Sequence, residues 1–167
     1  LVSPDDPEYL QKKIYYARDL NDPFLYKVIE VLKDKLDWSI ICRKFIKSEF
    51  ISLFIDKIDW STLSKNSVIL ENDYEIIEKF REYFDFKELC SCIVKIDDIF
   101  INKFRDLIDW TNISKNENLQ EYILEQYLDK IDWSVIGFRS NLSQKFLVKH
   151  LDRIKLNDDI IIGMFKK

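Results

Sequence analysis

Apolar residues recur along this chain at fixed distances from one aromatic position, and the spacing is that of a helix. The short stretch "DKIDWS" stands at 56–61 and again at 129–134, with "DKLDWS" at 34–39 and "DLIDWT" at 106–111. The four Trp of the protein, Trp38, Trp60, Trp110 and Trp133, all lie in it. Two further copies fit the register: "FDFKEL" at 84–89 puts Phe86 in the ring place, and "IKLNDD" at 154–159 puts Leu156 there. Successive ring positions are then 22, 26, 24, 23 and 23 residues apart. A fixed period of this size marks an array of stacked supersecondary units.

Ten residues before the ring stand Val28, Phe50, Ile76, Phe100, Ile123 and Phe146, and nine before it Ile29, Ile51, Ile77, Ile101, Leu124 and Leu147. Six before it come Leu32, Phe54, Phe80, Phe104, Tyr127 and His150; two before it come Leu36, Ile58, Phe84, Ile108, Ile131 and Ile154. Offsets of 0, 1, 4 and 8 form a stripe on an α-helix, whereas a strand alternates every second residue. Three past the ring, Ile41, Leu63, Leu89, Ile113 and Ile136 lie on the face of a second element. Each unit therefore reads as a helix of about three turns, a tight corner at the motif and a short helix. The motif Asp (Asp37, Asp59, Asp85, Asp109 and Asp132) is placed to cap that short helix, accepting N–H groups that the first turn leaves unpaired. Asp6-Pro7 and Asp22-Pro23 read as helix starts, and Ser48, Asp73 and Ser143 as further caps.

The fold class expected is all-α: an α-solenoid of about six helix–corner–helix repeats with a period near 23–24 residues. Residues 1–21 supply an N-terminal capping helix, with Leu10, Ile14 and Ala17 on one face, and residues 22–167 the repeat domain. In this reading Trp38, Trp60, Phe86, Trp110 and Trp133 are structural, each filling the space between neighbouring units.

Composition narrows the function. A chain of 167 residues with 47% hydrophobic and 34% charged residues can bury a core. Only 2 Gly and 3 Pro leave no phosphate-cradling loop. A net charge of −4 argues against non-specific nucleic-acid binding, which needs clustered cations. No apolar run approaches the ~18–20 residues of a membrane span. No signal peptide is visible, and three unpatterned Cys suit a reducing, intracellular setting. A chain that starts at Leu1 is read as lacking its native start.

The unit resembles short tandem repeats found in many uncharacterised proteins of giant DNA viruses that infect amoebae. The residues that carry the likeness are Phe50, Ile51, Phe54, Asp56, Lys57, Ile58, Asp59 and Trp60, then Phe100, Ile101, Phe104, Ile108, Asp109, Trp110, Ile113 and Ser114. It spans residues 22–156, with departures at "FDF" and "IKL". The resemblance carries no catalytic residues. It implies a virus-encoded repeat protein for binding, located in the host cytoplasm or the virus particle.

Candidate chemistry is sparse. His150 is the single His and falls in the apolar column six before the ring, which favours a core imidazole over a catalytic one. Cys42, Ser64, Cys90, Ser114 and Gly137 stand four past the ring, a column of small residues where a helix passes close to a neighbour. Cys92 lies outside it, and Cys90 with Cys92 is too little for a metal site. No cofactor or metal is expected. Four before the ring, however, every copy is acidic: Asp34, Asp56, Glu82, Asp106, Asp129 and Asp152. A carboxylate near a helix C-terminus opposes the helix dipole, so it needs compensation. Lys35, Lys57, Lys130 or Arg153 nearby, or Lys65 and Lys115 of the short helices, could supply it; otherwise the acids form a ridge for a basic partner.

The function expected is a non-catalytic protein–protein interaction scaffold with a host or viral partner, no nucleic acid and no membrane. A structural component of a virus particle is the alternative, and a carboxylate-dependent enzyme is the opposed class. The apolar C-terminal stretch "DDIIIGMFKK" predicts an edge covered by further chain, by self-association or by a partner.

Overall fold

The computed structural model describes residues 6–17, 20–67 and 74–154. The expectations for Asp73, for Leu156 and its short helix, and for the C-terminal edge lie outside them. Every described element is helical. In chain order these are α1 (Pro7–Tyr16), α2 (Pro23–Leu32), α3 (Trp38–Ile41), α4 (Ser48–Leu53), α5 (Trp60–Ser64), α6 (Tyr74–Lys79), α7 (Phe86–Cys92), α8 (Asp98–Lys103), α9 (Trp110–Lys115), α10 (Glu121–Gln126), α11 (Trp133–Ile136) and α12 (Gln144–Lys149). The chain divides into two compact units, residues 1–85 and 86–167.

The first helix of each repeat is shorter than its apolar stripe suggests. Only α2 reaches ten residues, while α4, α6, α8, α10 and α12 have six. The chain leaves the helix at the residue six before the ring. Phe54, Phe104, Tyr127 and His150 have φ between −115° and −122° with ψ between 19° and 37°. One further turn then hangs from that residue's own carbonyl. Phe54 O accepts from Lys57 N–H at 2.8 Å and Ile58 N–H at 3.2 Å, and Phe104, Tyr127 and His150 repeat the pair. The i→i−4 bond to Ile58 restores helical phase, so the stripe survives the break in the helix. Apolar periodicity therefore reads straight through it.

The caps follow the motif. Asp37, Asp59, Asp109 and Asp132 each accept a backbone N–H from the first turn of the short helix they precede, as do Asp6, Asp22 and Ser143 for longer ones. Hydroxyls of Ser39 and Ser134 hold the Asp37 and Asp132 carboxyls below their ordinary range, where the charge also suits a helix N-terminus. Ser48 is not a cap. Lys47 occupies that place and makes no side-chain cap bond, because the helix begins one residue earlier than the Ser predicts.

The core is the expected stripe. Phe50, Ile51, Ile76, Ile77, Phe100, Ile101, Ile123 and Leu124 are at most 2% exposed, as are Ile41, Leu63, Leu89, Ile113 and Ile136 of the short helices. The ring residues are half-buried, and each packs on the residue six before the ring of the following repeat. Centroid separations are 5.4 Å for Trp38–Phe54, 5.8 Å for Trp60–Phe80, 5.7 Å for Phe86–Phe104, 5.2 Å for Trp110–Tyr127 and 5.2 Å for Trp133–His150. Such offset aromatic pairs add ~0.5–1.5 kcal/mol beyond the area they bury. Trp60 also stacks on Tyr83 at 4.7 Å and meets Phe84 edge-on at 5.6 Å.

Trp60→Ala should therefore lower stability by about 3 kcal/mol in urea unfolding followed by circular dichroism. Trp60→Phe should cost less than half as much, since Phe86 holds the same seat.

Candidate functional site

Polar groups in this molecule sort into those that tie one repeat to the next and those that face outward. The first set explains two columns. Four past the ring, Ser64 Oγ donates to Trp60 O at 2.7 Å and accepts from Asp85 N–H at 2.9 Å; Ser114 Oγ donates to Trp110 O and accepts from Asp132 N–H at 3.1 Å. Cys42 and Cys90 occupy the same column, with the backbone N–H of Asp59 and Asp109 near enough to favour the thiolate slightly. Burial pushes both thiols up to about 12, with those backbone N–H groups pulling the other way. Thiols so protonated are poor nucleophiles. The column is small, as expected, and it is also a hydrogen-bonding seat for the next repeat's corner.

Six past the ring, a second column went unnoticed in the sequence. Lys44 Nζ donates to the carbonyls of Tyr15 and Ala17 at 2.8 and 2.7 Å. Asn66 Nδ2 donates to Cys42 O and Lys44 O at 2.7 and 2.9 Å, and Asn116 Nδ2 to Cys90 O and Ile93 O at 3.0 and 2.8 Å. Arg139 Nη2 donates to Leu119 O at 2.5 Å and Glu117 O at 3.4 Å. In each case one side-chain nitrogen reaches back and closes two carbonyls that belong to the preceding helical segment. Three different residue types do this, so only the shared N–H donor could have revealed it.

His150 is 5% exposed, against the rings of Trp133 at 5.2 Å and Phe146 at 4.7 Å. Its Nε2 lies 3.0 Å from Glu125 Oε1, while Lys149 Nζ donates to Glu125 Oε2 at 2.6 Å. The core position is as expected; the carboxylate partner from the preceding repeat is new.

All six acids of the column four before the ring are exposed. Within the first unit, Asp34 Oδ1 accepts from Lys57 Nζ of the following repeat at 2.6 Å, and that bond lowers the Asp34 carboxyl below its usual range. Asp56, Glu82, Asp106, Asp129 and Asp152 make no hydrogen bond or ion pair among the described residues. Local pairing thus accounts for one acid of the six.

Cavities open between successive short helices, at the same register in each unit. The one in the first unit has a volume of about 440 Å³ and is lined by Arg43, Thr62, Lys65, Asn66 and Ser67. Its counterpart in the second unit has about 220 Å³ and is lined by Lys115, Glu117, Val135, Phe138 and Arg139. Among the described residues no cluster of three or more His, Cys, Asp or Glu could hold a metal ion, and no helix is long and apolar enough to cross a membrane. No protein-family model, curated protein or solved structure matches the chain.

Two measurements follow from these contacts. Asn116→Ala removes a buried donor from the carbonyls of Cys90 and Ile93, leaving Ile93 O only the 3.4 Å bond from Asn118 Nδ2, so it should cost ~1–3 kcal/mol in urea unfolding. Glu125 gives a pH signature. Its carboxyl is held below the ordinary range, first by the Lys149 hydrogen bond and then by that of His150. A lowered folded-state pKa contributes stability above the unfolded value, and that stability is lost as pH falls through the lowered one. Glu125→Gln should therefore melt lower than the parent at neutral pH and lose less on acidification. Identical acid limbs in the two thermal profiles would contradict the pair.

Proposed function

We propose that the protein is a non-catalytic protein–protein interaction scaffold, an α-solenoid of about six repeats that offers its outward acids to a basic partner. The observation that carries this reading is the acidic column: six exposed carboxylates at one repeat offset, five of them without a partner among the described residues. Residues that join repeats are spent on backbone groups and ring seats, so they leave the outer positions for recognition. Within each unit the three acids then act together, steering a cationic surface in a salt-dependent way. The resemblance to giant-virus repeats extends the proposal to a virus-encoded chain whose partner is a host factor or a component of the particle.

Pull-down from host lysate and from purified virus particles identifies the partner. With that partner, Asp56→Asn, Asp106→Asn and Asp129→Asn combined should slow association at low salt and flatten its salt dependence. Stability should change by less than ~0.5 kcal/mol, as for other exposed substitutions. An unchanged association rate would reduce the column to solvated surface. The arrangement itself has a separate test. Deleting residues 110–132, one whole repeat, should leave a shorter chain that still folds, because each unit of a solenoid contacts only its neighbours.

A further inference from the structure

Arg139 brings more donors to its place than the place requires. Six past the ring, Asn66 and Asn116 close two carbonyls with one amide nitrogen, and Lys44 does so with its ammonium. Arg139 meets the same demand with Nη2 alone, on Leu119 O and Glu117 O, while its Nε donates to Asn141 Oδ1 at 3.2 Å. A guanidinium is a planar fork of five N–H donors, and these bonds use the three on Nε and Nη2. Nη1 keeps the other two. Arg139 is 7% exposed, and its Nη1 is buried with no hydrogen-bond partner among the described residues. A buried donor left unpaired costs ~1–3 kcal/mol, and more when it is charged.

Arg139 lines the cavity of about 220 Å³ between the short helices α9 and α11, inside the second compact unit. Its other walls decide what can answer Nη1. Charge there is balanced. Lys115 and Arg139 stand against Glu117 and Glu121; burial lowers the guanidinium pKa, and those two acids raise it. The acids are themselves held by the hydroxyls of Ser140 and Ser143. An added charge of either sign meets no surplus, whereas a neutral acceptor needs none. The apolar wall is Phe138 with Val135. Phe138 is 70% exposed and makes no ring contact among the described residues, and the other repeats carry Arg43, Lys65, Ser91 and Lys115 at that offset. The volume lies below the ~300–1,000 Å³ of small-molecule clefts and suits one side chain.

We infer that this cavity takes one apolar side chain from an extended, uncharged peptide segment of a partner protein. That side chain packs on Phe138 and Val135, and an adjoining backbone carbonyl accepts from Arg139 Nη1. The inference rests on the scaffold reading and gives it a second contact, of a chemistry that the acidic column lacks. A main-chain carbonyl is already what the other N–H groups of Arg139 select, on Leu119 and Glu117. A carboxylate is the poorer fit, because Glu117 lines the same wall.

The test titrates the full chain with the uncharged peptide acetyl-Gly-Ser-Leu-Ser-Gly-amide, followed by NMR shifts of the backbone amides. The shifts should saturate and centre on residues 115–119 and 135–139. Ala in place of the peptide's Leu should weaken binding at least ~5-fold, and a roughly tenfold rise in salt should change it less than ~2-fold. Arg139→Lys keeps a clamp nitrogen of the kind that Lys44 provides but lacks Nη1, so it should melt close to the parent and bind at least ~5-fold more weakly. Phe138→Ser, which copies Ser91 at an exposed position, should weaken binding as much without moving the melting temperature. Should Arg139→Lys melt lower, Phe138→Ser decides alone. Shifts that never saturate, equal affinity in a folded variant, or tighter binding of the peptide with Glu in place of Leu would each overturn the inference. A chain whose partner association still depends on Asp106 and Asp129, yet which ignores the peptide, would refute the cavity and leave the scaffold standing.

Discussion

Very short helices impose the constraint on which the rest depends. An α-helix leaves its first four N–H groups and last four carbonyls without internal partners. In a helix of four to six residues, such as α3, α5 or α11, that is nearly the whole backbone. Such a segment cannot be buried alone, because each unpaired group costs roughly 1–3 kcal/mol. The motif Asp answers for the N-terminal end. Where Lys44, Asn66, Asn116 or Arg139 stands six past the ring, its side-chain nitrogen closes carbonyls of the preceding segment; in the Phe86 repeat that place is Cys92, which offers none. Stacking is then obligatory for the polar backbone as much as for the apolar stripe.

Much of this was legible in the sequence, and the reason is chemical. Apolar columns must keep their size and offset, so Phe50, Phe100 and Phe146 announce themselves. A cap must be a short side chain with an acceptor, so Asp59 and Asp109 do too. Helix length was not legible. Phe54 leaves the helix at φ −118°, yet its carbonyl still bonds Ile58 N–H, and the phase that periodicity measures is unbroken. The clamps were hidden for another reason. Lys44, Asn66, Asn116 and Arg139 share a donor and a destination but neither size nor charge, so no pattern of residue type marks them.

The small column shows how one seat serves two demands. Ser64 and Ser114 close their own helix and receive the next corner with a single oxygen. Cys42 and Cys90 stand at the same place as buried thiols, and burial keeps them protonated. Their chemistry is consumed by architecture. What stays outside that architecture is charged surface: acids four before the ring in every copy, and Arg43, Lys65 and Lys115 five past it where Ser91 and Phe138 stand in other repeats. The candidate recognition surface lies where the linking columns make no demand.

The clamps also have a direction. Each nitrogen lies later in the chain than the carbonyls it closes, about one repeat on. A nascent chain therefore cannot complete a repeat when that repeat has left the ribosome; it must wait for its successor. At ~5–20 residues per second that wait is on the order of one to five seconds. Folding would travel behind synthesis as a front, always one unit in arrears, with a single row of open carbonyls at its leading edge.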